Sequence, residues 1–253
     1  MSGSNNNEAA RDFFSRNAER YAKSDSHAHG SDLPALISHI PLSERESALD
    51  VATGTGFTAL ELAKIVPHVC GVDTTYHMLG QARLLLRREG MDNVCLCLSD
   101  ASHLPFADQT FDAITCRRAA HHFADKAAFL LESRRCLRSG GYIGISDMVA
   151  PEGFEGTYND FERARDSSHF FAENSRKWES ILSSCGFGVT FSEVKEERVT
   201  FSRWLYPVEE SGPEGKKCRE FLEHSDESFR RAIGYRNDEH TFIKRRMVIV
   251  ASV

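Results

Sequence analysis

Leu49-Asp50-Val51-Ala52-Thr53-Gly54-Thr55-Gly56-Phe57-Thr58-Ala59 reads as an apolar strand, a glycine turn and the start of a helix. Glycine at 54 and 56 lets the backbone bend sharply and lets a ligand approach the main chain. The helix opening at residue 57 adds unpaired N–H donors and the positive end of its dipole. Gly54-x-Gly56-x-x-Ala59 also satisfies the dinucleotide pattern G-x-G-x-x-G/A, so the loop alone does not choose its ligand.

Three acids narrow the choice. Asp50 lies within the strand just before the loop, where a carboxylate repels a pyrophosphate but suits an ammonium group. Asp73 closes the next strand, where an acid can accept both hydroxyls of a ribose. Asp100, in Ser99-Asp100-Ala101, follows a third strand and can accept from an adenine amino group. A single Asp at such a place can equally cap a helix or a turn. Three of them sit at the carboxyl ends of successive strands, where an open α/β sheet binds its ligand. Together they describe a ligand with an adenosine, an ammonium and no phosphate, which is S-adenosylmethionine.

The flanking sequence supplies the sheet. Strands are expected at 48–53, 68–73, 93–98, 111–116 and 142–149, and helices at 57–65, 76–89 and 125–138, with Gly140-Gly141 as a helix stop. Apolar strands alternating with helices give a parallel sheet covered on both faces. Residues 45–150 therefore form the cofactor-binding core. Before it, residues 1–7 are polar and expected to be disordered, and 8–44 form an N-terminal helical cap. That cap carries Phe13, Phe14 and Tyr21 on the apolar side of its first helix, and His27 and His29 in the polar stretch that follows. After Pro151 comes a segment at 151–200 on the expected substrate side, with a helix at 175–185 and a strand from 187. A charged, partly helical, lid-like insertion spans 201–240. The last strand lies within 241–253, in Arg246-Met247-Val248-Ile249-Val250-Ala251, and joins the same sheet. The whole chain reads as one domain.

Composition closes several routes. The 253 residues carry 31 Lys plus Arg against 37 Asp plus Glu, a formal charge of −6, which argues against a nucleic-acid partner. No apolar run reaches the ~18 residues of a membrane span. Seven cysteines, mostly inside apolar runs, fit a reducing compartment, so a cytoplasmic location is expected. Cys95 and Cys97 face the same side of one strand, but no second pair at metal-ligand spacing follows, so no metal site is expected.

The stretches Leu49–Gly56, Gly71–Met78, Asp100–Phe106 and Phe111–Phe123 resemble the class I S-adenosylmethionine-dependent methyltransferases. Within that class they are similar to the small-molecule, type 11-like group that includes the ubiquinone/menaquinone methyltransferases. Arg117-Arg118-Ala119-Ala120-His121-His122-Phe123 and Arg165-Asp166-Ser167-Ser168-His169 look more similar still to an uncharacterised bacterial branch of the group. The resemblance covers roughly residues 8–200 and is specific for the cofactor, not for the substrate.

It implies a Rossmann-like α/β fold with a seven-stranded, mostly parallel sheet whose last strand is antiparallel. It also implies roles for single residues. Ala52, Thr53, Gly54 and Gly56 line the methionine part of the cofactor, and Asp50 reaches its amino group through water. Asp73 holds the ribose, Thr74 and Met78 flank the adenine, and Asp100 and Ala101 meet its edge. Arg117 lies near the carboxylate or sulfonium end, while Tyr21 and His27 close over the ligand. Ala52-Thr53 departs from the acid-and-glycine pattern that often precedes the loop, which bears on the local geometry.

Methyl transfer from a sulfonium is an in-line displacement, so alignment and exclusion of water dominate. A base is needed only if the acceptor atom carries a proton. The candidates are His121, His122, Asp147, Asp166 and His169. Each has another role open to it: a packed or capping histidine, a turn cap at Asp147, or an Arg165–Asp166 surface pair. Phe161, Phe170, Phe171 and Trp178 suit either a pocket wall or a core, and Trp204-Leu205-Tyr206 suits a lid. The expected partner is a small, partly apolar metabolite, the expected product S-adenosylhomocysteine, and the expected state a monomer or homodimer. A protein that binds S-adenosylmethionine without methylating, and a nicotinamide-dependent oxidoreductase, are the alternatives.

Overall fold

The computed structural model describes residues 2–42 and 47–253, with backbone alone for residues 2–7 and 9. The cap is α1 (Ser2–Ala22), α2 (Asp25–His29) and α3 (Asp32–Ser38). The core continues with β1 (Ser47–Val51), α4 (Phe57–Ala63), β2 (His68–Asp73), α5 (Tyr76–Arg88), β3 (Val94–Leu98), β4 (Phe111–Arg117), a 3-10 turn at Ala120–His122, α6 (Lys126–Cys136) and β5 (Leu137–Met148). The chain then adds α7 (Glu155–Arg165), α8 (Ser175–Ser184), β6 (Gly188–Thr200), α9 (Phe201–Leu205), α10 (Pro213–His224), α11 (Glu227–Ala232) and β7 (Thr241–Ser252).

The seven strands form one sheet in the order β3-β2-β1-β4-β5-β7-β6. Strands β1 to β5 pair in parallel, and β7 runs antiparallel between β5 and β6. All seven residues of β4 are buried, as a strand covered on both faces must be. Winding reverses between β1 and β4, and the crevice at their carboxyl ends is where such a sheet takes its ligand.

Two local expectations are corrected. Helix α1 extends back to Ser2, through the residues read as disordered, because each residue added to an existing helix gains a hydrogen bond without a new nucleus. Gly140-Gly141 is not a helix stop. α6 ends at Cys136, and the pair lies inside β5 where its register with β4 shifts. Gly140 has φ +72°, and a Cβ on Gly141 would stand 2.8 Å from the Arg138 carbonyl, so both places require glycine. The substrate-side segment at 151–200 also contributes the helix α7.

The insertion between β6 and β7 builds a second hydrophobic core. Phe161 of α7 stacks on Trp204 at 4.3 Å, and Leu205, Cys218, Leu222, Phe229 and Phe242 are buried around them. The Trp204 Nε1–H donates to Glu162 at 3.1 Å, so the indole is satisfied there. Trp178 is buried in the main core beneath the sheet. Phe161, Trp178, Trp204 and Leu205 are thus core residues and not a pocket wall or lid. The insertion does hold the cap: the Tyr206 hydroxyl donates to the Arg20 carbonyl at 2.5 Å, and the Arg20 guanidinium donates to the Pro207 carbonyl at 2.5 Å. All seven cysteines are free thiols. Among the described residues no helix is long and apolar enough to cross a membrane.

Candidate active site

A cavity of about 370 Å³ opens at the carboxyl ends of β1 to β4, between the sheet and the cap. Its wall includes Ala52, Thr53, Gly54, Asp73, Thr74, Met78, Asp100, Ala101 and Arg117, together with Tyr21 and His27 from the cap. The structure therefore brings together eleven of the thirteen residues expected at the cofactor. The other two, Asp50 and Gly56, do not line it.

Asp50 is buried and occupied. Its two oxygens accept the Thr53 and Thr115 hydroxyls at 2.7 and 2.8 Å. Burial pushes its carboxyl up to about 6, against the pull of those hydroxyls. It braces the loop from behind and does not line the cavity.

The two glycines have separate jobs. Gly54 has φ +54° and lines the cavity, and among the described residues a Cβ there would meet nothing within 4 Å. Gly56 has φ +89°, and its Cβ would stand 2.9 Å from the Cβ of Ala82, so Gly56 is needed for the close approach of α4 to α5. Ala52 also lies in the left-handed region, at φ +54°, which is the local consequence of alanine ahead of this loop.

Asp73 ties the loop to the next strand. One oxygen accepts the Gly54 amide at 2.9 Å and the other the Thr75 amide at 2.8 Å. Burial raises its pKa against these two donors. The Thr75 hydroxyl and the Thr74 amide also act on this carboxylate, which lies on the cavity wall. Asp100 accepts the Ser102 amide and hydroxyl at 2.9 and 2.7 Å, forming the turn after β3.

Arg117 is committed to the cap. It donates to both oxygens of Asp32 at 2.7 and 3.1 Å and to the His27 carbonyl at 2.9 Å. Arg118, at φ +57°, donates to the same carboxylate at 3.0 and 2.5 Å, and the Ser146 hydroxyl adds a bond at 3.2 Å. Burial opposes the charge on Asp32, but Arg246, Arg118 and Arg117 hold it far below the usual carboxylate range. Sequence reasoning missed Asp32, since an Asp opening a short helix looks like an ordinary first-turn acid.

Of the candidate bases, only His122 lines the cavity. Its Nδ1 lies 3.0 Å from the Ser168 carbonyl, which can only accept, so Nδ1 carries the hydrogen and Nε2 is the basic nitrogen. Burial, helped by neighbouring His121, lowers its pKa to about 4, so the ring is neutral at pH 7. The Phe14 ring meets it edge-on at 4.9 Å.

His121 stands behind it, ring centroids 4.0 Å apart. Asp147 accepts the His121 amide and Nδ1 at 2.8 and 2.6 Å; burial raises its pKa, and His121 outweighs this to bring it to about 2. His169 is farther back, its Nε2 2.5 Å from the Asn159 amide oxygen, and burial takes its pKa down to about 2. Asp166 accepts the Ser168 amide at 2.9 Å, and Arg165 pairs with Glu162 at 2.9 Å rather than with Asp166. These four residues, His121, Asp147, Asp166 and His169, are engaged in hydrogen bonds behind His122 and do not line the cavity.

The sheet order, the reversed last strand and the ligand crevice at the switch point define a Rossmann-like methyltransferase fold. The sequence profile of a family described as a methyltransferase domain matches residues 49–145. The uncharacterized methyltransferase YcgJ of Bacillus subtilis is 35% identical over 173 residues, 68% of each chain. The YcgJ structure superposes with a TM-score of 0.82 at 26% identity, covering 88% of this chain and 98% of that one. The demethylmenaquinone methyltransferase of Thermotoga maritima is 37% identical over 108 residues, 42% of this chain and 45% of its own. The chain belongs to this methyltransferase family.

Proposed function

We propose that this protein transfers a methyl group from S-adenosylmethionine to the O, N or C atom of a small, partly apolar molecule. The observation that carries the reading is the loop at Gly54, whose bare Cα faces the cavity beside a carboxylate, Asp73, on the cavity wall. The residues fit the cofactor. Asp73 would hold the ribose hydroxyls, Thr74 and Met78 the adenine faces, Asp100 and Ala101 its edge, and Ala52–Gly54 the methionine part.

When bound, S-adenosylmethionine supplies a methyl group already activated on a sulfonium. The chain has to bind, orient and exclude water. The cap does the excluding: the Asp32 carboxylate, gripped by Arg117 and Arg118, pins α2 and α3 over the strand ends. His122 is neutral, and its lowered pKa makes it a weak base, so it would accept a hydrogen bond from, and only weakly deprotonate, an acceptor atom that bears a proton. Aromatic rings of Phe14, Phe123 and Phe129 supply the apolar part of the wall.

The test is to incubate the protein with S-adenosylmethionine and a mixture of small metabolites and to follow S-adenosylhomocysteine and the methylated product by mass spectrometry. Acceptor-dependent formation of both is expected. Binding of S-adenosylmethionine with no S-adenosylhomocysteine from any mixture would instead favour a non-methylating binder.

A further inference from the structure

Behind the cavity the sheet presents two cations on its final strand. Lys244 and Arg246 are two residues apart on β7, so they share one face. Arg246 stands opposite Met148 at the end of β5, and both cations keep some accessible surface. Neither makes an ion pair among the described residues, whereas Arg165 has Glu162, and Arg117 and Arg118 share Asp32. The acids that act on them are already engaged: Asp32, shared with Arg117 and Arg118, and Asp147, bonded to His121, act on Arg246, and Glu162, paired with Arg165, acts on Lys244, so two largely desolvated cations share their counter-ions with others.

The donors confirm the deficit. The Arg246 Nη1 and Arg165 Nε groups are buried and have no hydrogen-bond partner among the described residues. Arg165 and Arg246 both act electrostatically on Lys244, and burial with Arg246 takes that ammonium down to about 7. Buried N–H groups of this kind are rare in folded proteins and mark a place for a further acceptor. With α3 of the cap packed on β7, the accessible surface of these cations forms a recess beside His27 and Arg118, which line the cofactor cavity and act electrostatically on Lys244, Arg246 or both.

We propose that this recess holds an anionic group of the methyl acceptor, with Arg246 and Lys244 as its counter-ions, so that the acceptor is a small organic acid. The inference rests on the methyltransferase reading above and names its substrate class. The acid's anion seats on β7 while its apolar part points toward Phe14 and His122. The adjacent cofactor has a carboxylate of its own, and the experiment separates the two sources.

Protein loaded with S-adenosylhomocysteine is titrated with benzoate and with benzamide, its neutral isostere, by calorimetry or Trp204 fluorescence. Benzoate is expected to bind at least tenfold more tightly than benzamide. Arg246→Met should remove that preference and Arg246→Lys should restore part of it. Equal affinity for the two, or no binding of benzoate at millimolar concentration, overturns the proposal. S-adenosylhomocysteine and 5′-methylthioadenosine, which lacks the amino-acid part, are titrated against the same variants. If Arg246→Met weakens the first but not the second, the arginine serves the cofactor's carboxylate and the proposal fails. Absence of S-adenosylhomocysteine binding to the wild type would sink the methyltransferase reading itself, a different result from indifference to benzoate.

Discussion

The carboxylate of Asp73, at the end of β2, accepts the amide of Gly54 in the loop after β1 at 2.9 Å, so one side chain fixes the loop that faces the cavity. Its second oxygen accepts the Thr75 amide at 2.8 Å. Asp73→Ala is therefore expected to do two things. Loss of hydrogen bonds from ribose hydroxyls to a charged group, ~1.5–3 kcal/mol, should lower S-adenosylhomocysteine affinity roughly 10- to 150-fold. Loss of the acceptor for two backbone amides should also destabilise the ligand-free protein by about 1–3 kcal/mol. The second effect is invisible in the sequence, where the backbone partners of an acid at a strand end cannot be read. Asp73→Asn should fall between, since an amide has one acceptor oxygen. Calorimetry and urea denaturation on the same variants check both effects. Unchanged affinity with reduced stability would make Asp73 a brace only.

Gly54 and Gly56 should separate under substitution. Gly56→Val places a branched side chain against Ala82, 2.9 Å from its first carbon, and should destabilise the α4–α5 contact by several kcal/mol, on the order of an overpacked core. Binding would then fail through unfolding, not through a filled ligand site. Gly54→Ala should cost only about 1 kcal/mol, the strain of a left-handed alanine, while its Cβ intrudes on the ligand. Circular dichroism with ligand titration distinguishes them: Gly54→Ala folded and binding at wild-type affinity would remove Gly54 from the site.

The strand–loop–helix and the three acids were legible because strand ends, glycines and carboxylates have fixed places in a parallel sheet. The partners of those acids were not. Asp50 and Asp73 look alike in sequence, yet Thr53 and Thr115 turn one inward while the other remains on the cavity wall. His121, His122 and His169 were likewise equivalent until the 3-10 turn at 120–122 aimed a single ring at the cavity. Asp32 and Arg117 are 85 residues apart, beyond any local pattern. Lys244 and Arg246 did leave a signal: two cations at alternate positions entering an apolar strand. The insertion read as a lid because charge dominates its composition, although its few apolar residues suffice for a core with α7.

Ala52 at φ +54° stores strain that glycine would relieve. A left-handed alanine costs roughly 1–2 kcal/mol, and glycine returns about 0.5–1 kcal/mol of that as unfolded-state entropy. Ala52→Gly is expected to leave stability unchanged or raise it by up to about 1 kcal/mol, read from the urea midpoint. A clear loss would mean that the Ala52 methyl has packing contacts worth more than the strain.

His122 makes stability depend on pH with a definite sign. Its folded pKa is about 4 against an ordinary 6.5. Between those values the unfolded chain binds a proton that the folded chain does not, so its contribution is complete above pH 6.5 and lost as pH falls toward 4. A shift of that size corresponds to roughly 3 kcal/mol. Asp50, raised from 3.8 to about 6, acts oppositely: the folded chain takes its proton first, so stability gains as pH falls from 6 toward 3.8. Comparing wild type with His122→Asn isolates the histidine. The wild type should lose stability more steeply over pH 6.5 to 4, and parallel curves would contradict the assignment.

The central claim, that the cavity at Gly54 and Asp73 is an S-adenosylmethionine site, is tested most directly by calorimetric titration of the folded protein with S-adenosylhomocysteine. One molecule bound per chain is expected, with affinity reduced at least tenfold in Gly54→Ala that retains wild-type circular dichroism. No heat of binding to folded wild-type protein, or equal affinity in the variant, would contradict it.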